Sequence, residues 1–249
     1  MPRYISRITL NGVLDEASYW KGLPAVRHLA EVDGLDFAAP VTFFVGENGT
    51  GKSTLLEAMA VAYGFNAEGG SKNFTFSTRK THSDLYKHLR ISRLSRPRDG
   101  FFLRAESLYN VASNIDDMDS VWSFEPPVIE GYGGVSLHEQ SHGESFLSIV
   151  QNRFFGRGLY LLDEPEAALS PMRQMTLLAE IHELVQKDSQ FIIATHSPIL
   201  MAYPDAHILT FSEEGIHQTD YRDTEHYQVT KNFLDNPEKM LHYLLEERS

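Results

Sequence analysis

Apolar positions along the chain fall into two patterns. Runs such as VTFFV at 41–45, LYLL within 158–162 and FIIA within 190–195 are continuously apolar. That suits strands of a parallel sheet covered on both faces. Shorter or less pure runs at 3–10, 101–105 and 206–211 complete the strand predictions. Helical spacing of apolar residues predicts helices at about 52–64, 83–94, 144–155, 171–187, 224–235 and 237–247. Gly-rich and Pro-rich stretches at 64–73, 95–100 and 125–134 predict loops. Strands alternating with helices imply an α/β fold with a mostly parallel central sheet.

Composition narrows the class. The chain has 249 residues, 42% of them apolar, enough for one large α/β domain with a sizeable core. No cysteine is present, which excludes disulfides, zinc ribbons, iron–sulfur clusters and thiol chemistry. The beginning, MPRYISRITL, lacks the apolar core of a signal peptide, and no run approaches membrane-spanning length, so the expectation is a cytoplasmic protein with no membrane span of its own. A net charge of −12 argues against a surface that coats polyanions as a whole. The charge is segregated, however. Residues 72–104 carry nine basic side chains against Asp84 and Asp99, leaving that stretch at +7 and the remainder at −19.

Chemistry concentrates where apolar strands end. The run VTFFV leads into Gly46, Glu47, Asn48, Gly49, Thr50, Gly51, Lys52, Ser53 and Thr54, followed by the apolar stretch LLEAMAVAY. This is G-x-x-x-x-G-K-[ST] between a strand and a helix, the context that gives the motif its meaning. Glycines let the backbone curl with its N–H groups around a phosphate, Lys52 can neutralise phosphate charge and Ser53 can ligate Mg²⁺. A second apolar strand ends in Asp163 and Glu164, suited to a metal contact and to a general base or water-orienting carboxylate. A third ends in Thr195 and His196, and a histidine at that edge can hydrogen-bond a γ phosphate. Finally, Ser141 and Glu144 are spaced as a capping box; the Ser141 hydroxyl, Gly143 and the helix N-terminus also make an anion site.

These motifs, in this order, resemble the ATP-binding cassette (ABC) class of P-loop ATPases: Walker A at 46–53, a signature-like SHGES at 141–145, Walker B at 159–164, a D-loop position at 167–170 and a switch histidine at 196. The phrases DEPEAALSP and THSPILMAYPDA are more similar to soluble RecF-like and SMC-like heads, and to small stand-alone bacterial ATPases labelled AAA family, than to transporter cassettes. The resemblance implies a P-loop fold with an N-terminal antiparallel β lobe and a helical insertion carrying the signature. It implies ATP and Mg²⁺ as ligands and a single domain over 1–249, with a nucleotide-binding core at 1–71 and 158–249 and an insertion at 72–157. Carried over by residue, Lys52 and the amides of 47–54 hold phosphates, Ser53 and Asp163 serve Mg²⁺, Glu164 is the base and His196 the γ-phosphate switch. Ser141 and Gly143 would reach the γ phosphate of an opposite subunit, so a head-to-tail homodimer with ATP at its interface is expected.

The sequence departs from the class pattern at three places. The signature has His142 where glycine is usual. No glutamine follows the strand FFLRAES; Glu106 stands there, either as a Mg²⁺ or water contact or as a plain strand-end carboxylate. Tyr19 and Trp20 lie where an adenine-stacking aromatic could sit, or they pack into the N-terminal lobe. Only 89 residues separate Gly51 from Ser141, too few for the long coiled coils of SMC proteins. That interval holds the basic stretch 72–104, which is either a solvated helix or a docking surface for nucleic acid or an acidic partner. A soluble ATPase coupled to a partner or nucleic acid in repair or defence is the leading expectation; the nucleotide-binding subunit of a membrane transporter is the alternative.

Overall fold

The computed structural model describes residues 4–11, 18–71, 83–120 and 126–246. Nine strands are present among them: β1 (Arg7–Leu10), β2 (Leu35–Asp36), β3 (Val41–Gly46), β4 (Leu89–Ser92), β5 (Asp99–Arg104), β6 (Gly158–Asp163), β7 (Gln190–Ala194), β8 (His207–Ser212) and β9 (Gly215–Gln218). The helices are α1 (Pro24–Glu31), α2 (Lys52–Tyr63), α3 (Leu108–Ser120), α4 (His142–Arg153), α5 (Pro171–Gln186), α6 (Pro198–Met201), α7 (Glu225–Asp235) and α8 (Pro237–Glu246).

The main sheet has the order β5-β6-β7-β3-β8-β9 and is parallel except for the β8–β9 hairpin. Its continuously apolar strands are explained by two cores. Val41, Phe43 and Val45 of β3, Tyr160 and Leu162 of β6, and Phe191 and Ile193 of β7 face a core shared with α3, α4 and α5. The alternate residues Phe44, Leu159, Leu161, Ile192 and Ala194 face a second core with α1, α2 and the N-terminal strands. With both faces covered, a polar side chain along these strands is costly unless it finds a partner.

The second, antiparallel sheet has the order β2-β1-β4 and forms the N-terminal lobe. It is tied to the main sheet by Gln190, which is fully buried. Its side chain accepts from the amides of Tyr4 at 2.8 Å and Ile5 at 2.9 Å and donates to the Ile5 carbonyl at 2.8 Å. A mixed α/β architecture with a mostly parallel sheet, an antiparallel lobe and helices around the signature-like helix start is thus observed.

One expected helix is absent. Residues 83–94 form a short 3-10 turn, Asp84–His88, and then strand β4, paired with β1 from Arg7↔Ser92 to Leu10↔Leu89. The local period is two: Leu89 and Ile91 pack against the second core while Arg90 and Ser92 face out. The cationic helix flank expected there therefore does not exist. Three helices that the spacing did not announce are α1, whose Pro24 starts it, α3, which buries Leu108, Val111, Ala112 and Ile115, and the single turn α6. Of the two candidate adenine aromatics, Trp20 is buried in a cluster with Val26, Ala58 and Leu85, while Tyr19 is exposed.

Replacing Gln190 with alanine leaves two buried N–H groups and a carbonyl without partners. At about 1–3 kcal/mol for each unsatisfied group, a loss of about 3 kcal/mol or more is expected. Urea unfolding of Gln190→Ala checks this; an unchanged midpoint would remove Gln190 as the tie between the sheets.

Candidate functional site

The carboxyl ends of β3, β6 and β7 meet at one edge, the position where open α/β sheets bind ligands. β3 leads into the loop through Gly46, whose φ of 127° and closeness to Phe211 admit no side chain: a Cβ would lie 2.1 Å from the Phe211 carbonyl oxygen. Gly49 and Gly51 also have positive φ, 85° and 101°. Thr50 Oγ1 braces the loop on the Glu47 carbonyl at 2.8 Å. Gly51, in a left-handed conformation, begins α2 with no side-chain cap. The first-turn amides of Lys52, Ser53 and Thr54 therefore point outward as a set of donors, the arrangement in which a helix start accepts phosphate.

Lys52 is buried, and its ammonium donates to the carbonyls of Gly46 and Glu47, both at 2.7 Å. Burial lowers its pKa, opposed by the nearby carboxylates of Glu164, Asp163, Glu166 and Glu47. Next to it, Ser53 Oγ donates to Asp163 Oδ1 at 2.8 Å. Asp163 is also buried, and burial raises its pKa to about 6 although Arg104 and the Ser53 hydrogen bond act in the opposite direction. A serine hydroxyl and a carboxylate oxygen in direct contact form the hard-oxygen pair that Mg²⁺ takes from a protein, the remaining positions being filled by phosphate and water. The donor set fits the ion.

Arg104, at the end of β5, was not singled out by sequence reasoning. Its guanidinium lies 2.8 Å from Glu57 Oε2, 3.3 Å from Asp163 Oδ2 and 3.8 Å from Glu106 Oε2. It is held there because β5 and β6 pair with Arg104 opposite Asp163. Glu106 itself is exposed, with Arg104 as its ion-pair partner.

Glu164 follows Asp163 with φ 48°, an unusual left-handed backbone for this residue type. Its amide is anchored on the Ala194 carbonyl of β7 at 2.9 Å. The strained turn thus sets Glu164 beside His196: Glu164 Oε1 and His196 Nε2 are 3.7 Å apart. Glu166 fixes the next turn, accepting from Thr195 Oγ1 at 2.8 Å and from the His196 amide at 2.5 Å. His196 Nδ1 contacts His226 Nε2, on the first turn of α7, at 2.9 Å. Burial, then Lys52 and His226, push the pKa of His196 down to about 4, so both rings are neutral at pH 7. The Glu164 carboxylate favours a proton on His196 Nε2, which leaves Nδ1 to accept from His226. That places a buried N–H donor with no hydrogen-bond partner among the described residues at this edge. Glu166 lies within the phrase DEPEAALSP, whereas His226, like Arg104, carries no motif of its own; only the fold brings it here.

The signature-like helix start does not join this group within one chain. The Ser141 amide and hydroxyl donate to Glu144 Oε2 at 3.0 and 2.6 Å, and Arg173 bridges Ser141 Oγ and Glu144. Gly143 is required by close approach: a Cβ would lie 2.5 Å from Arg173 Nη1 and 2.9 Å from the Ala168 carbonyl oxygen. Ser141 is exposed.

Comparison with known proteins agrees with this geometry. A family profile described as "AAA domain" matches residues 25–99. Another, described as "AAA domain, putative AbiEii toxin, Type IV TA system", matches 135–202. No curated protein matches the chain in sequence. Among solved structures, the chain is similar to MJ1267, an ATP-binding cassette of an ABC transporter, at 16% identity and TM-score 0.53, over 97% of this chain and 99% of that one. It is similar to cbiO1 from Clostridium perfringens, part of the ABC transporter complex cbiONQ, at 17% identity and TM-score 0.51, over 98% and 99%. The SMC head domain from Thermotoga maritima aligns at 16% identity and TM-score 0.46, over 88% and 100%. The MJ1267 and cbiO1 matches show that the chain has the fold of an ATP-binding cassette. Among the described residues no helix is long and apolar enough to cross a membrane.

The low pKa of His196 has a stability consequence. The unfolded imidazole takes up a proton near its ordinary value of 6.5, whereas the folded one resists until about 4. The penalty is absent above pH 6.5 and grows as pH falls through that window. For a ring with 28% of its surface exposed, about 1 kcal/mol of the wild-type stability loss between pH 7 and pH 5 is expected from it. Urea unfolding at both pH values should show His196→Asn losing correspondingly less; identical losses would contradict the neutral-ring assignment.

Proposed function

We propose that this protein binds ATP with Mg²⁺ and hydrolyses it, and that two copies close head to tail around the bound nucleotides. The observation that carries this reading is the Ser53–Asp163 contact, set between the buried Lys52 and the Glu164–His196 pair. The amides of 47–54 and the Lys52 ammonium would take the phosphates. Ser53 and Asp163 would hold Mg²⁺, which when bound neutralises phosphate charge. Glu164, partly exposed and fixed by its left-handed turn, is suited to orient and deprotonate the attacking water. His196 Nε2–H offers the γ phosphate a hydrogen bond. Glu106, at the edge of the site, would act on Mg²⁺ only through water, its direct ion pair being with Arg104.

Dimerisation is supported by the other end of the signature. Ser141 stands exposed at the start of α4, and Gly143 is kept small by its packing against Arg173 and Ala168. This built helix start has no phosphate to serve in its own chain. A second copy would bring one. The work driven by this cycle would be repair-like or defence-like and cytoplasmic, on a nucleic acid or protein partner, and the toxin–antitoxin description of the profile matching 135–202 favours defence. A second reading, the nucleotide-binding subunit of a transporter, draws on the two structural neighbours that are transporter parts. A membrane permease co-purifying with the chain would decide for it.

Glu164→Gln keeps the site's shape while removing the base. Turnover should fall by at least about 100-fold with ATP binding retained, and the trapped state should run as a dimer. Phosphate release and light scattering at saturating Mg·ATP read both. Full turnover in the variant would contradict the assigned base, and a monomer at saturating ATP would contradict the head-to-tail dimer.

The contact from α7 makes His226 a positioning residue for His196. His226→Ala should lower kcat about threefold to tenfold with KM little changed, and His226→Gln, which can still donate, should restore much of it. Equal loss in both variants, or a change in KM alone, would mean that the contact is only structural.

A further inference from the structure

At the opposite edge of the main sheet, where β5, β6 and β7 begin, Arg98, Arg157 and Lys187 line a cleft of about 780 Å³ together with Phe155 and Asp188. The three cations come from three segments but are tied to one another through the backbone. The Arg157 amide donates to the Lys187 carbonyl at 2.7 Å, and the Arg98 amide donates to the Arg157 carbonyl at 2.9 Å. Arg157 itself is held at φ 48°, a left-handed conformation better suited to glycine. Gly156 before it has φ 86°, and a Cβ there would lie 2.7 Å from Lys187 Cβ. The turn therefore presses Arg157 against its two neighbours and keeps a large charged side chain where backbone energetics disfavour one. Retained strain of this kind points to a use for the side chain.

The charges are also free to act. Asp99, in the floor of the cleft, accepts from Arg153 at 2.8 Å and from the Tyr160 hydroxyl at 2.8 Å, so its charge is met there. Among the described residues Arg98 and Arg157 make no ion pair, and Lys187 has only Glu183 at 3.8 Å, both side chains being well exposed. Asp188 is the carboxylate remaining at the rim. Phe155 is 67% exposed beside these cations, with the Arg153 guanidinium 5.4 Å from its ring centroid.

We propose that this cleft binds the phosphate–base unit of a nucleotide, with Arg98, Arg157 and Lys187 on the phosphate groups and Phe155 stacked on the base. The volume suits a ligand of nucleotide size. Cations alone would equally serve an acidic peptide; the exposed aromatic among them favours a ligand with a flat π face, as in single-strand binding. The unit can come from a nucleic-acid strand or from a free nucleotide. In the first case the cleft deepens the partner reading above by naming its surface, on the far side of the sheet from Lys52. Binding here is measured without ATP or Mg²⁺, so its failure leaves the ATPase reading untouched.

The test is fluorescence anisotropy of the full chain with a labelled twelve-residue oligothymidylate, with thymidine monophosphate and hexaglutamate as competitors. Arg157→Gly is the informative variant, because glycine relieves the strained turn while removing the charge. Its thermal midpoint should equal or exceed the wild type's. Combined with Arg98→Ala it should weaken binding about tenfold or more and flatten the salt dependence by about one unit of log–log slope per cation removed. Phe155→Ala should also weaken binding about tenfold. Displacement by thymidine monophosphate would assign a free nucleotide, and affinity that grows with oligomer length would assign a strand. Neither probe binding the wild type, affinity unchanged in the variants, or hexaglutamate competing as well as the oligonucleotide would overturn the proposal.

Discussion

The structure turns on keeping one buried carboxylate, Asp163, usable as an anion. Burial in the middle of a parallel sheet edge raises its pKa to about 6, so desolvation outweighs the two contacts that oppose it, the Arg104 guanidinium and the Ser53 hydroxyl. An ordinary carboxylate is fully ionised well below that value. Each neighbour follows from this requirement. Arg104 is brought alongside by strand register and steadied by Glu57, Ser53 is delivered by the first turn of α2, and Lys52 is folded back onto its own loop.

Much of this was legible in the sequence because it is local. A phosphate loop is defined by consecutive residues, and the strand before it and helix after it, β3 and α2, are set by adjacent apolar runs. The continuous apolarity of β6 and β7 likewise announces burial on both faces, which places Asp163, Glu164 and His196 at one edge. What was not legible depends on partners distant in sequence. Arg104 looked like one more member of a basic stretch, and only pairing of β5 with β6 sets it against Asp163. His226 lies thirty residues from His196 on a helix whose side chains are largely exposed, with no motif to mark it. The stretch 83–94 was misjudged because three or four apolar residues fit either period. Its partner β1, about eighty residues away, decides for a strand.

The basic stretch changes meaning accordingly. Arg104 pairs with Asp163, Lys87 pairs with Asp84, and Arg93 lies over the Tyr63 ring at 4.1 Å. Lys72, Arg79 and Lys80 lie outside the described residues. Arg90, Arg96 and Arg98 remain exposed, but Arg98 joins Arg157 and Lys187 rather than a helix flank. Among the described residues, Arg98 and Arg104 lie at opposite ends of β5, while Lys87, Arg90 and Arg93 lie on or beside the antiparallel lobe. A segment sum cannot distinguish a cation that neutralises a buried acid from one that faces solvent.

The central claim, that Asp163 and Ser53 form a metal site coupled to phosphate, is tested most directly by calorimetric titration of ATP with and without Mg²⁺. In the wild type Mg²⁺ should tighten ATP binding, and in Asp163→Asn that increment should vanish while metal-free binding through Lys52 and the loop amides persists. An equal Mg²⁺ increment in the two proteins would contradict the account.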